Sequence, residues 1–121
     1  MTPAARSVSI FGIYLLLLGV TLLLAPNLLL GVFGMPSTTE VWIRVVGMLC
    51  VLLGMYYRVS AGAESRQFFQ ASVLARLSVP VFFLIFVLAG WSQWPLVLFG
   101  LVDAAGALWT WTALRSGGTA A

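Results

Sequence analysis

Lysine and histidine are both absent from this 121-residue chain, and only three of its residues are acidic. Without His, the commonest general base and the commonest metal ligand are missing. A lone cysteine, Cys50, can form neither an internal disulfide nor a thiolate cluster. Charge as a whole is scarce. Six Arg with Glu40, Glu64 and Asp103 make up 7% of the chain, where a soluble domain carries roughly a quarter. So few charges cannot cover a water-facing surface, and a hydrophobic content of 62% excludes a disordered chain. An integral membrane protein remains. Signatures of catalysis are missing too: no Gly-rich phosphate loop, no nucleophile elbow and no metal-ligand spacing. No metal site and no cofactor are predicted. The net charge of +3 comes from Arg at helix ends, which form no continuous basic patch, so nucleic acid is not an expected partner.

What the chain has in quantity is long apolar runs. A spanning helix needs about 20 mostly apolar residues, and four stretches qualify, at about 7–25, 38–60, 67–90 and 95–114. The expected fold is all-α: one polytopic domain, residues 1–121, forming a four-transmembrane-helix bundle. The first run ends at Pro26, and the last at Gly117-Gly118. Pro95 suits a first helical turn. Ser37-Thr38-Thr39-Glu40 has the spacing of a capping box that would open the second span. The first run is long for a signal-peptide core and no A-x-A site follows it, so an uncleaved span is expected.

Arg6, Arg58, Arg66 and Arg115 all fall on one side if both termini are cytoplasmic, and the opposite connections, 26–37 and 91–94, hold no basic residue. The positive-inside rule therefore predicts N-in, C-in. Trp42, Trp91 and Trp94 would form the outer aromatic belt, and Tyr56, Tyr57, Trp109 and Trp111 the inner one.

Spans one and two share a two-glycine stripe, Gly12 with Gly19 and Gly47 with Gly54, each pair seven residues apart and so on nearly one face. Close helix packing is the plain explanation; a binding groove, a faint internal repeat or a homo-oligomer contact are the others. Spans three and four lack the pattern, which argues against an inverted-repeat transporter. Pro80 falls inside span three and is expected to kink it, one turn beyond Arg76. The connection 26–37 contains Leu28, Leu29, Leu30, Val32 and Phe33, too apolar for a free loop. It is expected to join the helices along the outer interface, or to fold back as a lid.

Ionisable groups inside a membrane are costly and are functional candidates by default. Four arise here: Glu40, Arg44, Arg76 and Asp103. Glu40 and Arg44 stand four apart near the outer surface, where an ion pair along the helix would suffice to explain them. Asp103 and Arg76 lie deeper, each roughly 13 Å into its span at 1.5 Å per residue. Asp103 is too short to snorkel and needs a proton, a partner or water. Its face also carries Gly100, Ala107 and Thr110. Glu40, Arg44, Gly47, Val51, Gly54 and Arg58 share a face of span two, and Ser72, Arg76, Val79 and Phe83 a face of span three. Either Arg76 or Arg44 could partner Asp103, as a structural pair that sets helix register or as part of a polar site. Tyr14 and Thr21 add hydroxyls on the face of span one opposite its glycines. Cys50, mid-span among apolar residues, reads as a small hydrophobe.

The order of features resembles the DoxX-like group of small bacterial four-helix membrane proteins. The matching residues are the outer Pro26, Phe33, Gly34 and Pro36, the run Arg44-Val-Val-Gly47, Arg76, and Val102-Asp103-Ala-Ala-Gly106-Ala. Some members of that group associate with membrane redox complexes. The resemblance implies a bacterial cytoplasmic membrane location and a partner-binding or quinone-proximal role; it carries over no functional residue.

Three functions are compatible with these residues. The first is a lipid- or quinone-binding protein or accessory subunit of a membrane complex. The second is a membrane enzyme on a lipophilic substrate, with Asp103 as acid or base beside an Arg. The third is a small transporter, disfavoured because the first span has no acid and the Arg distribution is one-sided.

Overall fold

The computed structural model describes residues 1–120, with side chains described through Ser116. The described residues form five helices and no strand: α1 (Pro3–Leu24), α2 (Pro26–Val32), α3 (Trp42–Gly62), α4 (Arg66–Leu88) and α5 (Leu96–Ala120). Four of them, α1, α3, α4 and α5 as far as Ser116, are long and apolar enough to cross a membrane. The chain forms two compact units, one of Ser9–Val59 and the other of Met1–Val8 with Ser60–Ala121.

In the Ser9–Val59 unit, the glycine stripes of α1 and α3 meet each other. A methyl group on Gly19 would stand 2.6 Å from the Gly47 carbonyl oxygen, and one on Gly47 2.7 Å from that of Gly19. One turn-pair away, a methyl on Gly54 would stand 2.8 Å from the Gly12 carbonyl oxygen. Gly12 thus faces Gly54 and Gly19 faces Gly47, the register of an antiparallel pair. With no side chain between them the backbones touch, which is how helices associate where no hydrophobic force drives them together. The stripes are therefore filled within the chain and offer no open groove. Tyr57 is buried on the same seam, with its ring 5.7 Å from that of Phe11. Of the expected inner belt, Tyr56, Trp109 and Trp111 are exposed, but Tyr57 belongs to the core.

The connection between α1 and α3 is partly helical. Ala25 leaves the helical region at φ −143°, and Pro26 restarts the chain as the first residue of α2, where its missing N–H costs nothing. At the far end Met35 N–H donates to Leu30 O and Gly34 N–H to Gly31 O, with Gly34 at φ +69°. That is a Schellman stop, which needs a left-handed residue. The Asn27 side chain then clasps Thr38, donating to its carbonyl (3.0 Å) and accepting from its N–H (2.8 Å).

This clasp corrects the expected capping box. Thr38 has both backbone groups committed to Asn27, so it cannot enter a helix. Glu40 N–H donates to Thr38 Oγ1 instead (3.1 Å), and α3 begins at Trp42. Glu40 therefore stands outside the helix, and the helical Glu40–Arg44 pair does not form.

In the other unit, α4 and α5 pack against each other as an antiparallel pair. α4 ends in a second Schellman stop, with Gly90 at φ +79° and Trp91 N–H donating to Phe86 O. Gly100 of α5 lies against Pro80 of α4: a methyl on Gly100 would be 2.8 Å from Pro80 Cα. A third Schellman stop closes α3, with Ser65 N–H on Ser60 O and Glu64 N–H on Ala61 O. Here the left-handed position (φ +51°) is held by Glu64 rather than glycine. The reason lies in its side chain. The Glu64 carboxylate accepts from the backbone N–H (3.0 Å) and hydroxyl (2.6 Å) of Thr2, the residue that caps α1 by accepting from Ala5 N–H. A carboxylate at a helix N-terminus also meets the positive end of its dipole.

Candidate functional site

The centre of the Met1–Val8 and Ser60–Ala121 unit is polar. Arg76, only 2% exposed, lies on the inward face of α4. Its Nε donates to the Ser72 carbonyl (3.2 Å), and its Nη2 donates both to Ser72 Oγ (3.0 Å) and to Thr110 Oγ1 on α5 (2.9 Å). Thr110 Oγ1 is also 2.8 Å from Ser7 Oγ, in the second turn of α1. Ser7 Oγ spends its own proton on Ala4 O and Ser72 Oγ spends its on Phe69 O. The proton count then fixes the direction: Thr110 donates to Ser7 and accepts from Arg76. Three segments are stitched through one guanidinium and three hydroxyls, and Ser7, Ser72 and Thr110 are all buried.

The sequence explains why this arrangement is available. Ser72 and Arg76 stand four apart on α4, and Pro80, four further on, has no N–H for the Arg76 carbonyl. On α5, Asp103 and Thr110 stand seven apart and share a face. Small residues, Ala4, Ala5 and Ala107, are buried around the cluster and let the helices come close.

Asp103 is half-buried in α5, and its carboxyl lies within the electrostatic reach of Arg76. It makes no hydrogen bond and no close ion pair among the described residues. Between the two Arg that the sequence left open, the charge acting on Asp103 is that of Arg76. Arg44 is engaged in the Ser9–Val59 unit, donating from Nη1 to the Leu23 carbonyl in the last turn of α1. A cation there satisfies a helix C-terminus that has no further N–H to offer.

From Arg44 to Arg58 the α3 face predicted from the helical wheel forms and α1 fills it, while Glu40 lies outside the helix. Arg44 meets Leu23, Gly47 and Val51 meet Gly19, Gly54 meets Gly12, and Arg58 donates to Ser9 Oγ (2.7 Å). Glu40 is exposed in the linker and makes no ion pair with Arg44. Thr21 bonds back to Leu17 O, and Tyr14 lies against Phe11 (5.2 Å between rings). Cys50 is half-buried in α3. Among the described residues no three His, Cys, Asp or Glu side chains come together as a metal site would require.

From the sequence, Arg76 and Asp103 stood out as the deep charged residues, with Arg44 an open alternative as the partner of Asp103, and Ser7 went unmarked as a companion. The only signal for Ser7 was its position at the start of an apolar run, which serines share with many helix starts. Thr110 was visible as a small residue on the Asp103 face but not as the acceptor for Arg76. Glu64 carried no signal at all, because nothing local relates it to Thr2, 62 residues away. No family model, curated protein or solved structure matches the chain, so its chemistry is read from these residues alone.

Proposed function

We propose that the chain is a four-span protein of a bacterial cytoplasmic membrane, with both termini inside, and that it holds a lipid or quinone at Asp103, alone or as an accessory subunit of a membrane complex. Three features support membrane insertion. Large apolar side chains stand exposed along every long helix, among them Leu17, Leu49, Leu74 and Leu101. In water such surfaces would aggregate; in lipid they are the expected exterior. The helix seams are built from glycine and hydroxyl contacts, as lipid favours. Arg6, Arg66 and Arg115 are exposed, and Arg115 lies over the Trp111 ring (4.7 Å), a pairing suited to the inner interface. The resemblance to DoxX-like proteins implies the same membrane and a partner-binding or quinone-proximal role.

The observation that carries the ligand reading is the Asp103 carboxyl: half-buried in an apolar span, facing a fixed cation, and given no hydrogen bond by the described residues. Extraction in mild detergent followed by mass spectrometry of bound small molecules tests it. Wild-type protein should retain a lipid or quinone that Asp103→Asn loses while its helix content is unchanged. Equal retention by both would refute a site at Asp103. A stoichiometric protein in the same preparation would identify the accessory role.

A further inference from the structure

Asp103 is the single acid among the described residues that lies within a long apolar helix; Glu40 stands in the linker and Glu64 in a turn. A carboxylate there without a hydrogen-bond donor bears the full cost of its lost hydration. Arg76 opposes its charge, but the hydrogen bonds that its Nε and Nη2 donate go to Ser72 and Thr110 and not to the Asp103 carboxyl. An occupant of the site must therefore bring a donor of its own.

Charge narrows the occupant further. Arg76 and Asp103 sum to zero. A cation would leave the span net positive, and an anion would meet the exposed part of the carboxylate directly; both states are costly in a low-dielectric setting. An uncharged donor keeps the sum at zero.

Deepening the proposed function and resting on it, we infer that Asp103 accepts a hydrogen bond from the hydroxyl group of an uncharged amphiphile. Arg76 is a positioning residue whose charge opposes that of Asp103, and Thr110, itself bonded to Ser7, holds Arg76 in place. A charge-assisted hydrogen bond of this kind is roughly twice as strong as a neutral one. Its worth is read as a preference for the hydroxyl over a ligand of the same shape that lacks the donor.

The test uses the full chain in nanodiscs of zwitterionic lipid, with empty discs as background. Equilibrium binding is measured for 4-nonylphenol, its methyl ether, dodecyltrimethylammonium and dodecyl sulfate. The phenol should bind about tenfold more tightly than the ether, a difference of about 1.4 kcal/mol, and more tightly than either ion. Asp103→Asn should shrink the phenol preference to about twofold or less. Thr110→Val should shrink it in part and Thr110→Ser should restore it, which a purely structural loss would not do. Should the variants fail to fold, the phenol-to-ether ratio of wild-type protein decides alone: a ratio near one overturns the inference. Asp103-dependent binding of the cation in preference to the phenol overturns the uncharged-donor inference and leaves the Asp103 site standing. Absence of any Asp103-dependent binding, with nothing co-purifying, overturns both.

Discussion

Three hydroxyls decide where one cation can rest. Arg76 is tolerable inside an apolar helix because Ser72 and Thr110 accept its protons and Thr110 passes the polarity on to Ser7. Replacing Thr110 by Val removes the acceptor for Arg76 and the donor for Ser7 at once. The expected cost is about 1–2 kcal/mol of unfolding stability, with Thr110→Ser close to wild type. Thermal unfolding in detergent measures both. At the α1 N-terminus the Thr2 hydroxyl and N–H hold the Glu64 carboxyl below its ordinary value of 4.5. The sign follows: the clasp contributes fully above the unfolded-state value and is lost as pH falls through the lower folded value. Protection of the first α1 turn from amide exchange, measured by NMR, should therefore be flat from neutral pH to about 5. It should fall only in more acid solution, and Glu64→Gln should flatten that dependence.

Among the elements, the α1–α3 seam gives the sharpest contrast between glycines. Gly19→Ala or Gly47→Ala drives a methyl group into a carbonyl oxygen of the facing helix and should cost about 1–3 kcal/mol. Gly31→Ala enters open space inside α2 and should be neutral or stabilising by up to about 1 kcal/mol. Chemical or thermal unfolding of the three variants side by side checks the order. The seam also shows what was legible. Seven-residue glycine spacing announced two close-packing faces, but spacing on one helix does not name the helix it meets; the backbone oxygens at Gly12, Gly19 and Gly47 do. The four long helices were legible because an apolar run is its own signal in lipid. The start of α3 was not. The Ser37–Glu40 spacing fits a capping box, and only the Asn27 side chain, brought near by α2, takes Thr38 out of it.

For the whole molecule, the scarcity of charge translates into a sorting by depth. Arg6, Arg66 and Arg115 are exposed, and Arg76 is enclosed with Asp103 beside it. Composition made four helices apolar enough to cross a membrane legible, and the proposed orientation rests on the one-sided Arg placement alone. The polar cluster was legible only as two residues at similar depth, because its three hydroxyls look like ordinary helix serines and threonines until the helices are brought together. The orientation has a direct check. In a Cys50→Ala background, a cysteine at Gln93 should react with an impermeant maleimide on intact cells, and one at Ala63 only after lysis. The reverse pattern would place the termini outside.

At the proposed Asp103 site, something other than protein completes the chemistry. Native mass spectrometry of the intact chain released from its own membrane addresses that most directly. Wild-type protein should carry a defined added mass, an uncharged hydroxyl-bearing amphiphile, and folded Asp103→Asn should appear at its bare mass. Identical added mass on both proteins, or none on either, would contradict it.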